Sequence, residues 1–212
     1  MAKKQTKTVK KVRKKNWYSI TAPQLFNETT IGETLAYAPE SLKGKQLWYN
    51  MMYLTGDVKS QNVTISFVID DYAEGKAKTR MIGYKILPNS LKRLVRKNKD
   101  KIEDSAYYRT ADNVMVRVKP FILTRRNSNY TIRNAVLTTT RKILADYFRK
   151  TNFEKFCQEL SRKQVQKNIY MKVNKIFPIQ MVEIREMRVA KETPKTKKLV
   201  LEFKEDANGS NQ

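Results

Sequence analysis

Apolar residues in this chain change their period partway along, and that switch limits the fold more than any other feature. Val63, Ile65, Phe67 and Ile69 alternate with Asn62, Thr64 and Ser66, the two-residue repeat of a strand with one buried face. The alternation returns at Ile82, Tyr84 and Ile86 after turn chemistry at Glu74-Gly75. It appears again at Val114, Val116 and Val118, with Arg117 and Lys119 on the opposite side. From Ile132 the spacing becomes helical: Ile132, Val136, Ile143, Tyr147 and Phe148 share one broad stripe. Strands grouped ahead of helices predict an α+β chain with a curled, largely antiparallel sheet of about seven strands and about three or four helices.

Local signals refine this outline. Residues 46–54 read as a strand that ends at Gly56-Asp57. Residues 105–111 and 114–123 read as two strands turning at Asp112-Asn113. Pro120 cannot donate to a ladder, so the end of the second strand is expected at a sheet edge. Pro88-Asn89-Ser90 opens a helix with a stripe of Leu91, Leu94, Val95 and Ile102. Thr151-x-x-Glu154 is a capping-box signature for a helix carrying Phe153, Phe156, Cys157 and Leu160. Ser161-x-x-Gln164 caps another, with Val165, Ile169, Val173 and Ile176, and Pro178 stops it. Closing strands are expected at residues 179–190 and 197–205. Residues 16–35 have no clean period and read as an irregular segment anchored by Trp17, Tyr18, Ile20, Leu25, Phe26 and Ile31.

Charge points to the partner. The 212 residues include 44 Lys and Arg against 20 Asp and Glu, a formal net charge of +24, while 40% are apolar and sufficient for a core. Such an excess repels itself in a compact state and is neutralised by a polyanion. Nucleic acid does this through phosphate contacts and counterion release. An anionic membrane is the rival, but no apolar run approaches the roughly 18 residues that suggest a span. Residues 1–15 also lack the apolar stretch of a secretory signal peptide. They hold eight basic residues and no acid, and are expected to form a disordered basic arm. Residues 16–205 are expected to form a single α+β RNA-binding domain, with a frayed polar tail at 206–212.

The chain has no histidine and one cysteine, Cys157. That removes imidazole acid–base chemistry, histidine metal sites, an intramolecular disulfide and a cysteine zinc cluster. Gly44-Lys45 lacks the upstream glycine and following Ser/Thr of a phosphate-binding loop. Asp70-Asp71 reads as solvated carboxylates at a strand end, and Cys157 as a small apolar helix residue. No catalysis, cofactor or metal is expected. Duplex DNA, held nonspecifically as by a nucleoid or chromatin protein, is the alternative to RNA, and an RNA-processing enzyme is a third reading.

The run Lys15-Asn16-Trp17-Tyr18-Ser19-Ile20-Thr21-Ala22-Pro23, followed by Phe26-Asn27 and Ile31-Gly32-x-Thr34-Leu35, resembles the archaeal and eukaryotic small-subunit ribosomal protein 3Ae family. The likeness continues through Leu42-Lys43-Gly44-Lys45, Gly75-Lys76, the Thr124-Arg125-Arg126-Asn127 core and Ile176-Phe177-Pro178, over nearly the whole chain. It departs at Leu47-Trp48-Tyr49-Asn50, where the family usually carries an acidic residue and a Ser/Leu pattern. The short C-terminal tail is more similar to archaeal members. The resemblance implies a barrel-like sheet flanked by helices. It further implies a structural constituent of the cytoplasmic ribosome, seated on small-subunit ribosomal RNA at the platform. Neighbouring platform proteins, the RNA 3′ end and the messenger exit region would lie nearby, with messenger RNA as a further contact.

Candidate RNA-binding residues fall into groups. The arm offers Lys3, Lys4, Lys7, Lys10, Lys11, Arg13, Lys14 and Lys15, flexible cations that neutralise phosphates without one required geometry. The loop Arg125, Arg126 and Asn127, with Arg133, offers guanidinium forks suited to bidentate phosphate contact. Arg93, Arg96 and Lys97 lie on a basic helical face, and Arg141 and Lys142 on another. Lys45 and Lys76 join the set from the segments that carry the family resemblance. Trp17 and Tyr18 adjoin the arm and are expected to pack on the body rather than stack on bases, and at most one of Trp48 and Tyr49 is expected to be buried.

Overall fold

A computed structural model describes residues 14–73 and 75–190. Its class is α+β, with nine strands in a mixed sheet and five α-helices among the described residues. The expected count of about seven strands is corrected to nine among the described residues, which do not bear out a barrel-like closure. Among the described residues the strand path β2-β1-β5-β9-β8-β6 does not close on itself, with β3, β4 and β7 paired off it, and one of its pairings is parallel. The arm residues 1–13, the expected strand at 197–205 and the tail at 206–212 lie outside the described residues. The chain divides into two compact units, Met1–Leu47 with Val68–Arg80, and Trp48–Phe67 with Met81–Gln212.

In the first unit, the segment expected to be irregular is a hairpin. Strand β1 (Asn16–Thr21) pairs antiparallel with β2 (Thr30–Ala36), Asn16 opposite Ala36 and Trp17 opposite Leu35. The turn hid its period. Pro23 leads into a 3₁₀ turn at Gln24–Phe26, and Asn27 and Glu28 take positive φ of 55° and 51°. The amide of Ala22 then donates to Thr29 O at 2.8 Å. On its other edge β1 runs parallel to β5 (Lys76–Ile86), Ser19 opposite Lys76 and Ile20 opposite Ala77. Tyr18, Ile20, Ala36, Leu42, Ile69 and Ala77 form the core, with Leu47 and Tyr72 against it, and Tyr18 meets Tyr72 edge-on at 5.3 Å. Ile69 comes from β4 (Val63–Ala73). Gly44, at φ 83°, brings its amide to Ile69 O at 2.8 Å.

The strand expected at 46–54 is cut short. Strand β3 spans Gln46–Asn50, after which helix α1 takes Met51–Thr55. Asn50 caps it by accepting from the Met52 amide at 2.9 Å, and Gly56 ends it at φ 69°. An asparagine cap and a following glycine outweigh the strand propensity of an aromatic-rich run. The alternation at Val63, Ile65 and Phe67 holds, all three being buried.

The centre of the second unit is the antiparallel pair β8 (Met115–Thr124) and β9 (Ile179–Val189). Strands β6 (Lys101–Glu103) and β7 (Ala106–Arg109) share the other edge of β8. Pro120 is therefore interior, not at a sheet edge. It sits where the β8–β9 register shifts and between the β6 and β7 pairings, so its missing N–H falls at a break in the ladder.

Three helices follow: α3 (Tyr130–Lys150), α4 (Phe153–Ser161) and α5 (Gln164–Val173). Val136, Thr140, Leu144 and Phe148 bury one face of α3 at four-residue spacing. Phe148 stacks on Tyr108 of β7 at 5.1 Å and meets Phe156 of α4 at 4.6 Å. Neither expected cap forms. The α4 N-cap position is Asn152, and Asp112 accepts from the Phe153 amide at 2.8 Å in its place. Ser161 donates back to Cys157 O, while Lys163, at φ 58°, precedes α5. Cys157 is buried in α4, and burial pushes its thiol up, consistent with an inert helix residue.

Candidate nucleic-acid interface

Cations from two distant stretches meet against a third in the second unit. The polar loop after β8 is held by its own backbone. Arg125 donates its amide to Pro178 O at 3.1 Å and its Nε to Ile179 O at 3.2 Å. Ser128 donates its amide and hydroxyl to Asp100 Oδ2 at 2.6 and 2.9 Å. Asp100 is fastened to β8 in turn, its amide donating to Thr124 Oγ1 at 2.8 Å and its carbonyl accepting from the Thr124 amide at 3.0 Å. From the same turn Lys99 Nζ reaches Gln180 Oε1 at 2.6 Å. Residues 97–100, 125–133 and 174–180 are thereby brought side by side.

The electrostatics of this cluster are one-sided. Its nearest carboxylate, Asp100, is occupied by Ser128, whose backbone N–H and then hydroxyl hold it below the usual carboxylate range, with Arg133 adding to the effect. Arg125, Arg126, Asn127 and Arg133 are exposed, and the Arg126 guanidinium lies over the Phe177 ring at 5.9 Å. Asn129 stands at the N-cap of α3, where the amide of Arg133 donates to its carbonyl at 3.0 Å. The loop thus has an anchored backbone and exposed guanidinium groups, a chemistry suited to phosphate oxygens.

The helix expected to carry Arg93, Arg96 and Lys97 is shorter than its stripe. Helix α2 spans Pro88–Leu94; Val95 is extended and Asn98 takes φ 63°. Ile102 belongs to β6, not to the helix. Dense like charge after Leu91 and a left-handed asparagine favour the exit. Arg93 is on the helix, while Arg96 and Lys97 follow it, leading toward the Lys99–Asp100 turn, and all three are exposed.

Arg141, part-exposed on α3, turns to an acid of the sheet side. Its Nε and Nη2 bind Asp104 Oδ2 and Oδ1 at 2.7 and 2.8 Å, a bidentate pair whose carboxylate is 8% exposed. Lys142, beside it, is exposed. Around β8 and β9, several cations are spent on acids: Lys119 and Arg188 on Glu186, Arg185 on Glu103, and Lys163, just before α5, on Glu183. Desolvation raises the Glu186 carboxyl, but the Lys119 ammonium, Arg188 and Lys85 bring it down overall.

In the first unit, Lys14, Lys15, Lys45 and Lys76 are exposed, and Lys15 Nζ lies 5.2 Å from the Tyr37 ring centroid. Asp70 pairs with Arg80 at 3.2 Å, and Asp71 accepts from the Tyr72 amide, both structural roles. Tyr18 is buried as expected, but Trp17 is 66% exposed. Of the strand pair Trp48 and Tyr49, neither is buried. Lys78 was missed, although Lys76-Ala77-Lys78-Thr79-Arg80 alternates charge with burial and signals a basic strand face. Arg117 and Arg188, directly opposite across β8 and β9, were missed because their adjacency depends on register. Lys3, Lys4, Lys7, Lys10, Lys11 and Arg13 lie outside the described residues.

Residues 3–193 match the model of the family described as Ribosomal S3Ae family. Similar curated proteins are each named small ribosomal subunit protein eS1. That of Nanoarchaeum equitans is 31% identical, over 82% of this chain and 88% of its own length. That of Methanothermobacter thermautotrophicus is 28% identical, over 91% and 99%. A third, from Methanothrix thermoacetophila, is 27% identical over 89% and 90%.

Proposed function

The chain belongs to the ribosomal S3Ae family, and from that premise we propose that it is a structural, non-catalytic constituent of the small ribosomal subunit that binds ribosomal RNA. The observation that carries this reading is the joining of the Lys99–Asp100 turn to the loop that exposes Arg125, Arg126 and Arg133, with the one carboxylate at that junction, Asp100, already occupied by Ser128. A rigid loop that presents arginine forks loses little entropy on docking to a phosphate backbone. The basic arm adds phosphate contacts that tolerate irregular RNA shape. Arg93, Arg96, Lys142, Lys45 and Lys76 extend the cationic surface of their respective units. We place the contact at the platform, near the RNA 3′ end and the messenger exit region, on the family resemblance, with other ribosomal proteins and messenger RNA as neighbours.

The test is co-sedimentation with the small subunit across a salt series, beside the variant Arg126→Ala/Arg133→Ala. The parent chain is expected to stay with the subunit until high salt. The variant's salt slope for isolated ribosomal RNA falls by roughly 1.5, the sum of two lost phosphate contacts. A parent chain free in low salt, or one that binds duplex DNA as tightly as folded ribosomal RNA at matched salt, overturns the reading.

A further inference from the structure

We propose that the outward face of the β1–β2–β5 sheet in the first unit is a stacking platform for unpaired RNA bases. The inference rests on the reading of the chain as an RNA-binding protein and adds the class of RNA that this face takes.

The hairpin register sorts side chains by face. Tyr18, Ile20 and Ala36 turn inward and are buried, so Trp17, opposite Leu35, turns outward. Trp17 is 66% exposed and Leu35 42%. One step along, Tyr37 is 56% exposed beneath the Lys15 ammonium. An indole left this open beside a second open ring has no part in the core, whose edge-on aromatic pair is Tyr18 with Tyr72.

The neighbouring strand supplies charge on the same side. Ile20 and Ala77 are partners and both buried, so Ser19 and its partner Lys76 face out. Lys78 and Arg80 follow at two-residue spacing, exposed between buried Ala77 and Thr79. Of the acids nearby, Asp70 is engaged by Arg80, and Glu33, opposite Ser19, is the one described carboxylate on the hairpin's outward face. Among the described residues no ion pair holds Lys76 or Lys78.

Open aromatic rings beside a row of lysines match a polyanion that also presents flat π-faces. A single strand of RNA does so: its bases stack on rings while its phosphates meet ammonium groups. A duplex keeps its bases stacked on one another and offers only the phosphates, which leaves the two rings without a role.

The experiment uses the full chain carrying Trp48→Phe, so that Trp17 is the sole indole. It titrates a short unstructured RNA and a blunt duplex of the same sequence at matched salt. The single strand is expected to quench Trp17 fluorescence and the duplex not. Trp17→Ala weakens the single strand by roughly 5- to 150-fold with an unchanged salt slope, and leaves duplex affinity and the melting temperature as they were. Trp17→Tyr restores most of the loss. Lys76→Ala/Lys78→Ala lowers the single-strand salt slope by about 1.4. If Trp17→Ala binds the single strand as the parent does, or weakens both RNAs equally, the platform is refuted while the ribosomal reading stands. It is refuted in the same way if that variant keeps its RNA affinity but fails to enter the small subunit, which assigns the face to a protein neighbour. A parent chain that binds neither RNA overturns both.

Discussion

At the scale of single residues, two aspartates hold the basic surface in place. Asp100 accepts both donors of Ser128, and those bonds keep its carboxyl below the usual range. A folded-state value depressed below the unfolded one means the clamp is intact above the ordinary carboxylate pKa of about 3.9 and is lost as pH falls through the lower folded value. Protection of the Ser128 amide is therefore expected to be constant from neutral pH down to mild acid and to vanish only in stronger acid. In Asp100→Ala it vanishes at neutral pH too; hydrogen exchange reads both. Asp104 acts differently. It takes the whole fork of Arg141 while itself 8% exposed, so Arg141 supports the fold before any RNA is present. Asp104→Ala is expected to cost about 1–2 kcal/mol, discounted because the arginine is part-exposed. Urea denaturation measures it.

At the scale of elements, close approach between strands leaves little room. A Cβ at Gly83 would stand 2.6 Å from Ser66 Oγ and 3.2 Å from Met187 O. Gly83→Ala is thus expected to destabilise the second unit by about 1–3 kcal/mol. Adding Ser66→Ala returns part of the loss, since it removes the hydroxyl but not the carbonyl; thermal melts of the single and double variants test this. The helices carry a contrasting feature. Gln166, 3% exposed on α5, has neither amide atom paired among the described residues. Gln166→Met is expected to raise stability by about 1 kcal/mol, because an unpaired buried amide is costlier than a thioether of similar length. An unchanged or lowered melting temperature counts against it. Element boundaries were the least legible part of the chain. The Asn50 cap, the Asn27–Glu28 turn and the Asp112 bond to Phe153 each moved an end that periodicity alone had set elsewhere.

At the scale of the whole molecule, charge is the governing quantity. Residues 1–15 carry eight cations and no acid, and β1 begins at Asn16. Removing residues 2–15 is expected to lower RNA affinity and to reduce the salt slope by as much as about six if all eight cations meet phosphate. The remaining chain keeps its cooperative melt. An unchanged slope means that the arm makes no phosphate contacts. The sequence by itself determined the α+β class, the buried faces of β4 and β8, the helical period of α3 though only Val136 and Phe148 of its buried face, the basic character and the family. All of these are written in local period, composition or contiguous motifs. It also contained the loop Arg125–Arg126–Asn127 as a candidate. Tertiary structure alone decided that the Lys99–Asp100 turn lies beside that loop, that Arg141 turns to Asp104, and that Trp17 stays open to solvent. Period tells a strand which face to bury, but the identity of its neighbours depends on register between segments far apart in the chain. The pairing of β6 and β9 with β8 is such a register, and it is what gathers scattered cations into one surface.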